Sequence, residues 1–341
     1  MTSVGRRCHN EAMTTVTTHT DLQARVDAYR GELLGYCYRM LGSSFDAEDA
    51  VQDTMVRAWR GLDRFEGRSS LRSWLYRIAT NVCLDVLTGS QRRIRPMDLS
   101  SDAWAPVEAS LARQRSEDTW LEPMLDARIG ATAVAVDPAD VAVGRESIRL
   151  AFVATLQHLP PRQRVVLILR EVLRWKADEV AELLDSSVAS VNSALQRARA
   201  TLDARTTGGE QSYDPLDAEH QELLARYVEA FENYDIDRFV RLLHEDATQN
   251  MPPFEMWLQG ARDIGAWMLG PGQECQGSRI IPTVANGTLA AAQYRPSGPG
   301  GRHQPWALHV LEVDGGRIRG ITSFLDTRLF ALHGLPAHPD D

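Results

Sequence analysis

Lysine is almost missing from this chain: Lys176 is the only one, and arginine supplies the remaining positive charge. A GC-rich genome, which favours arginine and alanine codons, accounts for that bias without appeal to arginine's fork geometry. Positive charge is in deficit as well. A net charge of −9 over 341 residues excludes a protein that coats nucleic acid by bulk electrostatics, because such affinity rests on neutralised phosphates. Any nucleic-acid contact is therefore local or made alongside a partner. No apolar run approaches the roughly 18 residues of a membrane span, and the opening MTSVGRRCHNEAMTTVTTHT has no stretch to serve as a signal peptide's apolar region. The expectation is a cytoplasmic protein without membrane contact. Cysteine is scarce: Cys8, Cys37, Cys83 and Cys275 stand far apart, with no spacing that suggests a disulfide framework or a zinc site. No metal or cofactor is expected, and Cys37 and Cys83 read as core residues on apolar helical faces.

What is present is helical periodicity in two blocks, then a change of pattern. The length suits two or three domains. From about Leu22 to Arg93, one stripe is formed by Leu33, Leu34, Cys37 and Leu41. A second helix is expected to start at Asp46, as cap, and to run through Val51, Met55 and Trp59. After the loop Arg64 to Ser70 a third carries Leu71, Trp74, Leu75, Ile78, Val82 and Val86 on one face; Trp74 belongs to that core stripe. Residues 94–142 weaken into proline, serine, alanine and acid around Trp104, Trp120 and Pro123, a linker with short ordered pieces. Periodicity resumes at Arg145, with Ile148, Phe152, Leu156 and Leu159 before Pro160-Pro161.

The stretch KADEVAELLDSSVASVNSALQRARATL then reads as helix, break and helix. Val180, Leu183 and Leu184 repeat in the first helix; Val191, Leu195, Ala198 and Leu202 form the buried stripe of the second. Ser186 or Ser187 caps the second helix, leaving Ser190, Asn192, Ser193, Gln196, Arg197 and Arg199 off the core stripe. Amides, hydroxyls and arginines on an outer helical face are base-edge and phosphate chemistry, so this is a helix-turn-helix candidate. Ordinary helix packing is the competing account of this segment taken alone.

Residues 206–216, with Gly208-Gly209, form a polar hinge, and residues 217–335 change character. An amphipathic helix carries Leu223, Leu224, Tyr227, Val228 and Phe231, and a second spans Ile236 to Leu243. Strand-like alternation follows in Arg279–Val284, Thr288–Tyr294 and Trp306–Val313, and Asp314-Gly315-Gly316 turns into Arg317–Phe324. Helices before strands indicate an α+β domain with one curved antiparallel sheet.

The order of parts resembles a known family. DAEDAVQDTMVRAW, from Asp46 to Trp59, and SLRSWLYRIATN, from Ser70 to Asn81, resemble the second conserved region of bacterial sigma-70 factors of the extracytoplasmic-function group. Residues 156–199, LQHLPPRQRVVLILREVL through VNSALQRAR, resemble the fourth region. The tail, with MPPFEMWLQG and HVLEVDGGRIRGITSFLD, is similar to SnoaL-like domains fused to a subset of these factors. The implied architecture is two all-α domains, of three or four helices at 21–93 and a helix-turn-helix at 143–205, plus an α+β cone at 217–335. The arm 1–20, where Met13 is an alternative start, and the end 336–341 flank them.

The resemblance implies a promoter-specificity subunit whose partners are the clamp helices and flap of core RNA polymerase and promoter DNA. Glu48, Asp49, Gln52 and Asp53 would dock on the clamp, where acids can meet a basic partner. Arg68, Arg72, Tyr76, Arg77, Asn81, Asp85, Arg92 and Arg93 would hold the opened minus-ten strand, which needs a cationic track, a stacking ring and edge-reading polar groups. Ser187, Ser190, Asn192, Ser193, Gln196, Arg197 and Arg199 would face the minus-thirty-five element. Many members place two arginines where this chain has Asn192 and Ala194, so the promoter sequence does not carry over. Phosphate contacts from Arg162, Arg164, Arg174, Lys176, Arg197 and Arg199 are the safer expectation, each competing with a plain solvated charge.

SnoaL-like domains include small enzymes with a histidine or aspartate acid–base in a conical pocket. His309 and Asp326 are the candidates here. A lone pair from separate segments is weak support for catalysis, so the tail is expected to regulate rather than turn over substrate. A pocket around Trp257, Trp306 and His309, with Met251, Phe254 and Trp267 nearby, would take a small apolar ligand. Two alternatives stay open: a stand-alone helix-turn-helix regulator, normally a symmetric dimer, and a SnoaL-type enzyme with helical appendages.

Overall fold

A computed structural model describes residues 22–129, 146–204 and 217–340. The arm 1–20 with Cys8 and Met13, the hinge 206–216 and the end of the linker therefore lie outside the described residues. The first helical block opens with a helical segment at 22–27 and continues as α1 (Arg30–Leu41), α2 (Ser44–Gly61) and α3 (Leu71–Leu87), the part that resembles region two. The second starts earlier than expected, because Ser43 and not Asp46 is the cap: the Asp46 backbone N–H donates to Ser43 Oγ at 3.0 Å. Such a cap contributes about 1 kcal/mol. The third is capped by Ser70, whose Oγ accepts from Ser73 N.

Region four is α4 (Leu150–Gln157), α5 (Pro161–Leu167) running into a π-turn at Ile168–Val172, α6 (Ala177–Leu183) and α7 (Val188–Asp203). Ser187 caps the last helix, and its buried residues are Val191, Leu195 and Ala198. The chain reverses at Asp185, which holds a left-handed φ of 48° of the kind a short polar side chain tolerates.

Regions two and four share one hydrophobic core. Leu33, Met40, Met55, Leu75, Cys37 and Cys83 join Val153, Leu156, Val165, Ile168, Val180 and Leu195 in a single cluster. Trp74 is half-buried, its ring 5.0 Å from that of Phe65. Tyr76, expected on the DNA side, is buried, with Trp175 of region four against its ring.

The tail packs α8 (Ala218–Glu232), α9 (Ile236–Arg241) and α10 (Ala261–Leu269) on one sheet, with α11 (Arg328–Leu332) at its end. The strands are β1 (Leu243–Asn250), β2 (Trp257–Gln259), β3 (Arg279–Ala285), β4 (Thr288–Arg295), β5 (Gln304–Asp314) and β6 (Arg317–Phe324). Their order is β2-β1-β6-β5-β4-β3. The expected all-antiparallel sheet is corrected: β1 lies parallel to β6, with Gln249 opposite Ile321. LHEDATQN lacks apolar alternation, and its central pairing comes from a strand some seventy residues on, so neither β1 nor its direction showed in local pattern. One sheet face, with Leu258, Ala291, Leu311 and Ile321, packs on the helices. The other, with Ala290, Leu308, Val310 and Phe324, packs on Leu125 and Leu150.

The linker is more ordered than its composition suggests. Trp120, Leu121 and Met124 are buried. Leu121 presses against Gly42, which ends α1 at φ 71°, and a Cβ there would lie 2.6 Å from Leu121 Cδ2. Glycine is required on both counts.

Candidate nucleic-acid interface

The helix expected to face the minus-thirty-five element, α7, has an exposed outer face. Ser187, Ser190, Asn192, Ser193, Gln196, Arg197 and Arg199 are all exposed. Asn192, Gln196 and Arg199 follow helical spacing beside Arg170, lining a cleft of about 500 Å³. Arg199 is paired with Glu171 at 2.6 Å and Arg197 bonds Ser193 Oγ at 2.7 Å; both are exposed enough to exchange these partners for phosphate. Arg162, Arg174 and Lys176 are exposed.

Arg164 is a correction. It is 3 % exposed and donates to the Met40 carbonyl, to Gln157 Oε1 at 2.6 Å and to the Leu159 carbonyl at 3.2 Å. Burial pulls its pKa down to about 10. Its guanidinium caps helix ends in both regions, so it cannot contact phosphate in this arrangement.

The minus-ten residues divide. Arg68, Asn81, Asp85 and Arg92 are exposed, although Arg68 pairs with Glu66, Asp85 lies 3.6 Å from Arg57, and Arg92 bonds His158 of region four. The others are covered. Tyr76 is buried with its ring 5.1 Å from Trp175, and its hydroxyl donates to Glu32 at 2.8 Å. Burial, then the Glu32 charge, raises the phenol well above its ordinary value. Arg72 lies over the same Trp175 ring at 5.2 Å and pairs with Glu32 at 2.5 Å. Arg77 donates to the Glu182 carbonyl at 2.7 Å. Arg93 is held by Asp46 at 2.7 Å and by the Trp120 carbonyl. A stacking ring and three arginines of the proposed strand track are thus occupied by protein.

On α2, Asp49 and Gln52 face solvent. Asp53 pairs with Arg57 at 2.8 Å, and Glu48 is engaged by Arg128 of the linker, whose other nitrogen donates to the Leu332 carbonyl at 3.0 Å. The linker also seats a carboxylate at the start of this helix. Glu122 accepts from Ser43 Oγ at 2.6 Å and more weakly from Phe45 N, where the helix dipole favours an anion.

One residue that sequence reading passed over joins all these parts. Asn286, at the tip of the β3–β4 hairpin, is fully buried. Its Nδ2 donates to Tyr38 Oη of region two at 2.6 Å and to the Ile148 carbonyl ahead of α4 at 2.7 Å. Its Oδ1 accepts from Met124 N of the linker at 3.0 Å, and Gly287 N donates to Asp126 at 2.9 Å. The signal was available: Asn-Gly is the preferred tight hairpin pair, and both residues hold positive φ, 55° and 65°.

The residues expected to form a tail pocket are not brought together. His309 faces the helices, 4 % exposed, whereas Trp257 lies opposite Asn250 on the other sheet face. Trp306 is the extra residue of a bulge between Pro305 and Ala307, half-buried with Arg295 4.0 Å above its ring. Trp267 is buried in the helical core, and Met251 and Phe254 pack at its margin. Asp326 binds Arg328 at 2.7 Å.

His309 sits in a closed hydrogen-bonded chain. Ser278 Oγ donates to the Cys275 carbonyl, and Gln293 Nε2 donates to Ser278 at 2.9 Å. Gln293 Oε1 thus faces His309 Nε2 at 3.0 Å as acceptor, and Nδ1 accepts from Tyr227 at 2.6 Å. Burial holds the ring neutral, with a pKa near 4. Neither nitrogen is left for a substrate. Among the described residues no group of three His, Cys, Asp or Glu side chains is placed to hold a metal ion, and no helix is long and apolar enough to cross a membrane.

Comparison with known proteins agrees with this division. Residues 25–93 match the model of sigma-70 region 2, residues 149–202 that of sigma-70 region 4, and residues 224–321 that of the SnoaL-like domain. The chain is 46 % identical over 322 residues to the ECF RNA polymerase sigma factor SigG of Mycobacterium tuberculosis, covering 93 % of this chain and 84 % of that one. It is 27 % identical over 257 residues to the probable ECF sigma factor SigI of the same organism, covering 75 % and 77 %. The crystal structure of M. tuberculosis SigJ superposes with a TM-score of 0.58 at 24 % identity, over 92 % of this chain and 99 % of that one. Two helical regions in this order, a shared tail and that extent of identity place the chain in the extracytoplasmic-function family of RNA polymerase sigma factors, as a member with a SnoaL-like domain behind region four.

Proposed function

We propose that this sigma factor rests in a closed state that its tail maintains, and that core RNA polymerase opens it at the promoter. The observation that carries the reading is the cover over region two: Trp175 and Glu182 of region four lie against Tyr76, Arg72 and Arg77. The two promoter elements lie roughly 25 base pairs apart, about 85 Å at ~3.4 Å per pair. Two domains sharing one core cannot span that distance, so initiation requires their separation. Polymerase supplies the energy through Asp49, Gln52 and Asp53 on its clamp helices, with its flap taking region four. Region two then holds the opened minus-ten strand, and α7 reads the minus-thirty-five element.

The tail stabilises closure through Asn286 and through Arg128, which ties Glu48 to the last helix. It acts by position rather than by turnover, since His309 is committed to its neighbours. The cone is also the place for a small ligand that shifts this balance. Action in the cytoplasm, where polymerase works, completes the reading. In vitro transcription with core polymerase tests it: the full chain should initiate only at its own promoters, and Asn286→Ala should initiate at lower sigma concentration. Equal half-maximal concentrations for the two proteins would overturn the closed-state reading, and no promoter-dependent initiation by either would overturn the promoter role.

A further inference from the structure

The last helix of the tail ends on a titratable residue where its neighbours are apolar. Leu329 and Phe330 of α11 pack in one cluster with Leu125 of the linker, and Phe45 of α2 lies against it. His333, one turn on, is 8 % exposed, and neither ring nitrogen has a hydrogen-bond partner among the described residues. A neutral imidazole carries one donor and one acceptor, and buried groups of both kinds are almost always met. Leaving the two unmet weakens this contact relative to an apolar side chain of similar size.

The ring sits where tail, linker and region two meet. The Pro123 carbonyl of the linker approaches it without completing a hydrogen bond. One residue back, the Leu332 carbonyl accepts from Arg128 at 3.0 Å, and Arg128 also holds Glu48 near the start of α2. The carboxylates along this seam are already engaged: Glu48 by Arg128, Asp46 by Arg93, Glu122 by Ser43 and Arg93, and Asp126 by the Gly287 N–H. At the start of α11, Asp326 and Glu117 of the linker are both paired with Arg328. The cation whose field reaches the ring is Arg128. A proton on His333 would therefore set a second positive charge beside the first, with no counter-ion among these groups.

We propose that His333 is an acid-sensitive latch: a proton on its ring loosens α11 from the linker, and with it the tie from Leu332 to Arg128, so that Glu48 and the adjoining polymerase-docking face of α2 come free. The latch rests on the closed state proposed above and names a signal that releases it. Burial pulls the ring down to about 4, against a smaller upward pull from the Pro123 carbonyl and alongside a smaller downward one from Arg128. The ordinary histidine value is near 6.5, so the closed seam favours the neutral ring. Its contribution is whole above pH 6.5 and falls away as the pH drops from 6.5 toward 4. His309 titrates over the same range, but its partners Tyr227 and Gln293 lie inside the tail. It acts on the tail's own packing and not on this seam.

The test uses the full chain with one fluorophore on Arg60, at the far end of α2, and one on Ala331 of α11, both exposed positions, read at pH 7.5 and pH 5.5. The two should move apart in acid, with the ratio of released to latched chains rising about tenfold. His333→Gln, which stays uncharged, should abolish the response, and His333→Arg should be released at both pH values. His309→Gln should keep the full response. A response that survives His333→Gln, a latched His333→Arg chain at pH 7.5, or a distance that pH leaves unchanged would overturn the latch. So would an acid response accompanied by loss of the circular dichroism signal, which would be melting and not release. A pair already apart at pH 7.5 in the unaltered chain would overturn the closed state itself. Promoter-dependent transcription at pH 7.5 is a separate readout, so failure of the latch leaves the sigma-factor reading standing.

Discussion

The two faces proposed to read DNA are built from the same residue types and stand in opposite conditions. The minus-thirty-five face on α7 is exposed along its whole length, and its cations are held only by exchangeable surface partners. The face proposed for the minus-ten strand, on α3 and at Arg93, has its ring and three arginines engaged by Trp175 and Glu182 of region four, by Glu32 and Asp46 of region two and by the linker. The difference follows from what each face must do. Duplex DNA is recognised by an exposed helix with little rearrangement. An opened strand needs an apolar, stacking surface, and such a surface left uncovered in the free protein is an invitation to nonspecific contact. On the reading proposed above, Trp175 is that cover, and a partner must later remove it.

Several substitutions would break or sharpen that contrast. The largest effect is expected from Asp49→Arg with Asp53→Arg, which should reduce affinity for core polymerase by more than about a hundredfold while leaving the circular dichroism spectrum unchanged. Both faces would then stay as they are in the free chain. Retained polymerase binding in co-migration would show that another surface does the docking.

Asn286→Ala removes two donated bonds and one accepted bond at the junction, leaving Met124 N without its acceptor. A loss of about 2–3 kcal/mol in closure is expected. It should appear as a longer distance between fluorophores on Gln91 and Ser186, with the tail's own melting little changed. An unaltered distance would assign closure to the shared core alone.

The tail should also weaken in acid. Burial pulls His309 down to about 4, below the ordinary histidine value near 6.5, so folding favours the neutral ring. That contribution is whole above pH 6.5 and falls away as the pH drops from 6.5 to 4. At pH 5 the loss is about 2 kcal/mol. Thermal denaturation at pH 7 and pH 5 measures it, and His309→Gln should flatten the dependence.

The smallest effect belongs to the open face. Asn192→Ala should cost about 1–2 kcal/mol of discrimination between promoters with polymerase affinity nearly unchanged. Competition between promoters altered in the upstream element gives the number. Unchanged discrimination would move base reading to Gln196 or to the serines.

Much of the placement of the candidate site was legible because its determinants are local. Ser187 as cap, the stripe of Val191, Leu195 and Ala198, and the outward Asn192 and Gln196 follow from helical periodicity over sixteen residues. Tyr76 and Arg164 were misplaced for the opposite reason. Each is polar enough to be read as surface, and each is buried by an element far away in sequence. The tail pocket failed on strand pairing: Trp257 lies opposite Asn250 on the sheet face away from His309, and the pairing of β1 with β2 and β6 that puts it there comes from segments distant in sequence.

By itself the sequence determined two helical regions, the capped helix pair, the strands β3 to β6 with the turn joining β5 to β6, and the family, since helix periods, caps and turn residues act over a few neighbours. Only the tertiary structure decided that region four closes on region two, that β1 runs parallel to β6, and that Asn286 joins three parts of the chain. Those outcomes rest on contacts between segments about 70 to 250 residues apart, whose pairing depends on shape and burial that no local pattern encodes.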